Sequence, residues 1–151
     1  MQSQFEILNI TRANILKTVC GLSDEQLVAI PKGFNNNIIW NMGHIISSGQ
    51  KLTYGLAGLP LNLPESIPAT FAKGTDPRSW TTAPDIQLIK ELLQSTPGKL
   101  EEDYKQGLFK SFSEYKTSYG FLIKNIEEAI AFSNVHEALH LGVIMRQKKL
   151  V

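Results

Sequence analysis

The sequence predicts an all-α protein, a four-helix bundle with a long crossover between its second and third helices. Three observations lead to this prediction. Apolar residues recur at helical spacing in four long segments, and no segment makes a convincing strand. A proline-rich stretch separates the second segment from the third. The chain has 151 residues, enough for one well-buried core and too few for two, so we expect residues 1–151 to form a single domain.

Local signals mark the first helix and the short segment after it. Apolar residues recur at helical spacing from about Gln2 to Cys20, and Gly21 stands where helices commonly end on a glycine. Ser23, with Gln26 three residues later, forms a capping-box pattern, in which two side chains satisfy the first amides of a helix. We therefore expect a long first helix followed by one short helical turn.

The second long helix is predicted between an asparagine-rich start and a Gly-Pro end. It follows the asparagines at 35–37, whose side chains can cap it, and Gly58 and Pro60 close it. Away from its main apolar stripe it carries further apolar residues, which either pack under the long connections or form a self-complementary interface. We expect the interface, and hence a homodimer. The main stripe consists of Ile38, Met42, Ile45, Leu52 and Leu56, and the further residues are Ile39, Ile46 and Tyr54.

A long connection separates the second helix from the third. From Leu59 to Ala83 the chain carries four prolines and shows no sustained period. In a compact domain such a segment is typical of a functional loop or of a crossover between neighbours in a bundle, and we favour the crossover. The third helix opens with Pro84, and Pro97 followed by Gly98 predicts a kink or a break that divides it into two segments.

The last part of the chain is predicted as an irregular stretch and a final helix. Between Lys105 and Lys124 the sequence is rich in aromatic residues, which either anchor a loop or line a pocket. Asn125 with Glu128 forms a cap for a last helix that continues to about Lys148.

Composition makes several classes of function unexpected. The formal net charge is +1 and Lys and Arg gather on no one face, so we expect no nucleic-acid partner. No window approaches the roughly 20 apolar residues that span a bilayer, and no basic leader precedes an apolar run, so we expect no membrane association. Cys20 is the only cysteine, which suits a reducing compartment, and we expect a cytoplasmic protein.

The strongest chemical signal is a pair of histidines. The chain has three, and His136 and His140 lie four residues apart. At about 100° per residue both imidazoles fall on the inward stripe of the last helix, where two nitrogens can converge on one ion. The alternative is a pair of core histidines that hydrogen-bond to carbonyl groups or water.

The segment His136-Glu137-Ala138-Leu139-His140 also matches the zinc-peptidase signature, in which a glutamate acts as general base. The eleven residues after His140 contain no His, Asp or Glu, so the usual peptidase arrangement cannot be completed downstream. A third ligand must lie upstream, and His44 is the only other histidine. Glu137 is then a candidate catalytic base, a partner that orients a ligand, or a solvated carboxylate.

These segments together resemble the DinB family. The resemblance covers nearly the whole chain, and its most specific part is Trp-x-x-x-His, ending at His44, combined with His-x-x-x-His and a following glycine at 136–142. It implies a four-helix bundle whose three histidines hold one divalent metal ion, nickel or zinc. Those roles carry over to His44, His136 and His140. The resemblance also supports the homodimer, because bundles of this family often pair.

The function that follows from this reasoning is a metal-dependent enzyme. Three imidazoles leave at least one coordination position open, as in catalytic sites. Members of the family resemble hydrolases or S-transferases that use a low-molecular-weight thiol, so we expect one of these reactions on a small-molecule substrate. The rival hypothesis is a non-catalytic, metal-stabilised binding or dimerisation module.

Overall fold

The computed structural model describes all 151 residues and is mostly helical. This agrees with the predicted all-α class, and the structure adds one hairpin made of two strands of two residues each. The helices are α1 (Gln2–Val19), α2 (Asp24–Val28), α3 (Ile38–Gln50), α4 (Ser66–Phe71), α5 (Ile86–Lys105) and α6 (Ile126–Gln147), and the antiparallel strands are β1 (Tyr115–Lys116) and β2 (Leu122–Ile123). A π turn, Lys51–Gly55, continues α3, and a short 3₁₀ turn, Pro77–Ser79, follows α4.

The helix starts follow the capping signals in the sequence. At α2 the capping box of Ser23 and Gln26 is complete, with each side chain accepting from the backbone amide of the other residue. The side chain of Asn37 accepts from the amide of Trp40 at the start of α3. Asn125 caps α6 in the same way, and α5 is capped by Asp85 rather than opened by Pro84. These caps satisfy amides that have no partner within the helix.

Four long helices, α1, α3, α5 and α6, surround the core. Both α5 and α6 contact α1 and α3, and α4 packs on α3. Helix α3 is the most buried of them, because every residue of α3 except Ser48 and Gly49 is buried. No helix combines the length and the hydropathy that a membrane span requires. The central apolar cluster includes Ile15, Ile38, Ile45, Leu93 and Ile144, and a second cluster includes Phe5, Leu8, Tyr54, Leu100 and Ile130.

The predicted break in the third helix is wrong, because α5 continues through Pro97 to Lys105. A proline inside a helix leaves the carbonyl four residues earlier without its amide donor. Here that carbonyl belongs to Leu93, and it accepts a hydrogen bond from Arg12 Nη1 at 3.4 Å. A side chain from α1 therefore replaces the missing donor, while Pro97 itself is buried against the neighbouring helices.

The apolar surplus on the second helix is covered within one chain. Ile39 and Ile46 are fully buried and belong to the central cluster together with Ile67 and Phe71 of α4. Tyr54 is buried as well, and its ring lies 5.1 Å from that of Phe109 in the second connection. The observation that led to the homodimer prediction is thus accounted for without a partner, which corrects the reasoning behind that prediction.

The crossover is ordered by its contact with α3. Although the sequence predicted no regular structure there, α4 forms one and a half turns and buries Ile67 and Phe71, which lie four residues apart. The ring of Phe71 lies against the backbone of α3 at Gly43, where a Cβ atom would overlap the ring. A glycine at this position allows the crossover to approach α3 closely.

We predict that Gly43→Ala destabilises the protein by about 1–3 kcal/mol, because the added methyl must displace the Phe71 ring from a packed core. Urea unfolding followed by circular dichroism measures this change. The matched control is Gly98→Ala on α5, where an added Cβ would meet nothing within 4 Å. That change should stabilise the helix by up to about 1 kcal/mol. Equal effects of the two substitutions would contradict the prediction.

Candidate metal centre

The structure brings the three predicted ligand histidines together. His44 comes from α3, and His136 and His140 come from successive turns of α6. One ring nitrogen from each lies within 4.8 Å of the others. The Nε2 atoms of His136 and His140 are 3.2 Å apart. Two nitrogens bound to one tetrahedral zinc ion are separated by roughly 3.4 Å, so this pair already has a spacing close to that of shared ligands.

In two of the rings, His44 and His140, a hydrogen bond fixes which ring nitrogen carries the proton. We call this nitrogen, Nδ1, the outer nitrogen, because it points away from the other histidines. His44 Nδ1 lies 2.8 Å from the carbonyl oxygen of Phe71, which can only accept, so Nδ1 carries the proton. His140 Nδ1 likewise donates to Asn41 Oδ1 at 2.7 Å. The amide of Asn41 is held in that orientation because its Nδ2 donates to the carbonyl of Asn37. Neutral His44 and His140 therefore present the Nε2 lone pair to the space between the rings, as metal-binding histidines do.

Burial keeps these imidazoles neutral. It lowers the pKa of His44, a shift that the hydrogen bond to Phe71 opposes. Burial, with a smaller contribution from the neighbouring histidines, lowers the pKa of His136 to about 4 and that of His140 to about 3. Since metal ions bind the neutral imidazole, all three rings are in the binding form near neutral pH.

Aromatic contacts restrict the orientation of the rings. Trp40 stacks on His44 with ring centres 4.6 Å apart and planes 9° from parallel. The indole nitrogen of Trp40 donates to Thr75 Oγ1 at 2.9 Å, which ties this stack to the crossover. Phe132 lies against His136 at 6.4 Å. The geometry is thus fixed by packing as well as by hydrogen bonds, which favours pre-organised binding.

Glu137 does not join the histidines. Its carboxylate is 1% exposed and accepts two hydrogen bonds from Arg12, from Nε at 2.9 Å and from Nη2 at 2.8 Å. Arg12 also donates to Thr96 Oγ1 at 2.6 Å. Burial raises the pKa of Glu137, and the Arg12 guanidinium opposes that shift. Both carboxylate oxygens are therefore engaged by Arg12 of α1.

A cavity of about 450 Å³ opens beside the histidines. His44 and His136 form part of its wall, whereas Glu137 does not. The other walls come from α3, the residues after α4, the hairpin and Phe132. Its volume falls in the range of roughly 300–1,000 Å³ that holds small molecules. His44 and His136 are thus accessible to a ligand from the cavity.

Sequence reasoning missed the residues that orient the ligands. The carbonyl of Phe71 had no detectable signal, because any residue supplies a carbonyl and the segment was predicted as irregular. Asn41 had a partial signal, since it lies three residues before His44 on the same helix and therefore on a neighbouring strip of its surface. Its partner His140 lies 99 positions away in the sequence, so the contact depends on how α3 and α6 pack.

Comparison with known proteins agrees with this site. A search of curated proteins returns no match. A family model described as the DinB superfamily matches residues 7–144, which is most of the chain and includes all three histidines and Asn41. The chain therefore belongs to the DinB superfamily.

Proposed function

We propose that this protein is a divalent-metal-dependent enzyme that acts on a small molecule bound in the cavity beside the histidines. The observation that carries the proposal is the convergence of three neutral imidazoles whose outer nitrogens, on His44 and His140, are already committed to acceptors. If His136 and His140 were core histidines that needed only hydrogen-bond partners, the ring of His44 would not need to point toward the same space. The adjoining cavity supports an enzyme over a purely structural metal site, since structural sites are closed by protein ligands.

Nickel or zinc is the first candidate for the ion, because imidazole nitrogen suits both. When bound, such an ion would act as a Lewis acid toward a ligand that enters from the cavity. The chain itself would hold the ion through His44, His136 and His140, and orient two of these rings through Phe71 and Asn41. Ser48 lines the cavity with its hydroxyl 3.2 Å from His44 Nε2, where it can hydrogen-bond to a bound substrate. Hydrolysis and transfer to a low-molecular-weight thiol are the two reaction types we propose.

We further propose that Glu137 braces the fold rather than serving as the base. We infer that the four long helices form a four-helix bundle, with the segment between α3 and α5 as its crossover, because α5 and α6 each contact α1 and α3. Within it, the pair of Arg12 and Glu137 joins α1 to α6 one residue after His136. The bonds from Arg12 to Thr96 and Leu93 add α5 to the same group. This arrangement supports a role in holding α6 at the correct height and rotation.

For assembly we propose a homodimer that uses the outer face of α6. Val135 is 58% exposed and Leu139 is 49% exposed, and the residues beside them are small or apolar. This face covers an arc of about 120° of the helix and carries no charge between Glu128 and Arg146. An exposed apolar face of this kind is commonly buried in a two-fold interface. The residues concerned are Ala131, Val135, Ala138, Leu139, Gly142 and Met145.

The first test of the proposal is metal content. After loading with nickel or zinc and dialysis, we expect about one ion per chain in the wild type and none in His136→Ala or His140→Ala, because two imidazoles retain a divalent ion poorly. Elemental analysis by mass spectrometry measures this. Saturating metal should raise the melting temperature of the wild type only, since an ion at about 100 times its Kd adds about 2.7 kcal/mol to the folded state.

Two control variants sharpen the metal test. Leu139→Ala, which changes an exposed residue between the two histidines, should keep the full metal content. Asn41→Ala keeps all three ligands but no longer orients His140, so it should bind the ion roughly 10–100-fold more weakly. The metal-free wild type should remain folded by circular dichroism, because neither apolar cluster contains any of the three histidines. Full metal content in His136→Ala would overturn the proposal.

The bracing role of Glu137 predicts a large effect on stability. Arg12→Met should lower the free energy of unfolding by about 3–5 kcal/mol, because it leaves a buried carboxylate without its partner. The double variant Arg12→Met/Glu137→Met should recover much of that loss and still bind metal. Lys105→Met, which breaks the exposed pair with Glu101, serves as the control and should cost at most about 1 kcal/mol. A loss of metal in the double variant that retains wild-type stability would contradict this assignment.

The proposed interface predicts a species of twice the 16.8 kDa chain mass in sedimentation at micromolar concentration. Leu139→Glu should convert it to monomer, because a charge within an apolar interface is desolvated without a partner. Ile10→Glu changes a residue of α1 that is 54% exposed, and it should leave the dimer intact. A wild type that sediments only as the single chain would rule the interface out.

A further inference from the structure

We infer that the substrate is an anion: a small molecule with an apolar body and a carboxylate or phosphate group, held at the cavity rim by Lys51 and Lys73. This inference rests on the proposed function, because it takes the cavity beside the histidines as the substrate site. It goes beyond that proposal by assigning a charge and an orientation to the ligand.

The charge of the cavity carries the inference. None of the fifteen residues that line it is Asp or Glu, and the two charged ones are Lys51 and Lys73. They come from separate segments, Lys51 from the π turn after α3 and Lys73 from the residues after α4. Neither lysine forms a salt bridge within the chain, although the exposed Lys99 and Lys105 both do. The positive charge that faces the cavity is therefore not neutralised by the protein.

Burial gives the ligand an orientation. The deep wall of the cavity consists of buried residues, Trp40, His44 and Ser47, whereas both lysines are exposed. An anionic group would therefore lie at the solvent side, with the reacting group toward His44. Both lysines line the same cavity as His44, which places them on the same side as the site.

A hydroxyl group lies beside the candidate ligands in the cavity wall. Ser48 lines the cavity, and its Oγ lies 3.2 Å from His44 Nε2. Because His44 carries its proton on Nδ1, the Ser48 hydroxyl donates to Nε2, and its own lone pairs can accept from a polar group of the ligand. The hydroxyl of Ser47 has no hydrogen-bond partner, but it is completely buried and therefore out of reach of a ligand in the cavity.

Apolar residues make up much of the rest of the cavity wall. Trp40, Leu52 and Phe132 line it, which suits a ligand with an aliphatic or aromatic body. Lysine is a compact point charge without a preference for a planar anion. Carboxylates and phosphates can therefore both pair with the two lysines at the rim, whereas a cationic or neutral ligand would leave the lysine charges unpaired.

The experiment compares matched anionic and neutral ligands by isothermal titration calorimetry on the full chain. The probes are 3-phenylpropanoate, 4-phenylbutanoate and 3-phenylpropyl phosphate, each paired with its neutral amide or alcohol. We expect at least one anion to bind about tenfold more tightly than its neutral partner, and the preference to shrink from roughly 50 mM to 500 mM salt. The double variant Lys51→Met/Lys73→Met should lose the preference for the anion. Each of the single variants, Lys51→Met and Lys73→Met, should lose part of it.

The control is Lys17→Met/Lys32→Met, which removes the same charge at exposed positions that do not line the cavity. It should keep the preference. Each titration is repeated with metal-free His136→Ala, because a carboxylate that binds only through the ion would lose its preference there. If no anion outbinds its neutral partner, or if the preference survives loss of both lysines, the inference is wrong. Anion preference in a protein that takes up no metal would instead uphold the lysines and reject the proposed enzyme.

Discussion

The hydrogen bond from His44 on α3 to the carbonyl of Phe71 at the end of α4 links the candidate metal site to the packing of the crossover. On one side it selects the tautomer that presents Nε2 to the other histidines. On the other it is available only because α4 packs its phenylalanine ring on Gly43, one residue before His44. The same segment continues into Ala72 and Lys73, which form a wall of the cavity. Folding of the crossover, ligand orientation and the shape of the cavity therefore depend on one contact between α3 and α4.

Arg12 has a comparable role on the other side of α6. Its guanidinium donates to Glu137, Thr96 and the carbonyl of Leu93, and so connects three helices through one side chain. A planar guanidinium can do this because its donors point in several fixed directions within one plane. The uninterrupted helix at Pro97 and the engagement of Glu137 are two results of the same set of bonds. A lysine ammonium has only three donors on one nitrogen and could not make the four hydrogen bonds that Arg12 makes from three nitrogens.

Features set by neighbouring residues could be predicted from the sequence, and features set by distant ones could not. The caps at Ser23, Asn37 and Asn125 involve atoms three residues apart, and the pairing of His136 with His140 follows from one turn of helix. The continuity of α5 depends on a side chain 81 residues from Leu93. The engagement of Glu137 depends on Arg12, which is 125 residues away, and no periodicity reports such a pairing.

The origin of the histidines has a consequence for motion. All three candidate ligands come from α3 and α6, and the groups that orient them come from α3 and the crossover, whereas α1 and α5 contribute none. Local opening of a protein proceeds through cooperative units with separate free energies. A bound ion would therefore slow the opening of α3, α6 and the crossover as one unit and act on α1 and α5 only through global unfolding. Amide hydrogen exchange would then slow in α3, α6 and the crossover on metal binding, and much less in α1 and α5. The hairpin at the cavity rim supplies no histidine to the site, so it would remain free to admit and release small molecules.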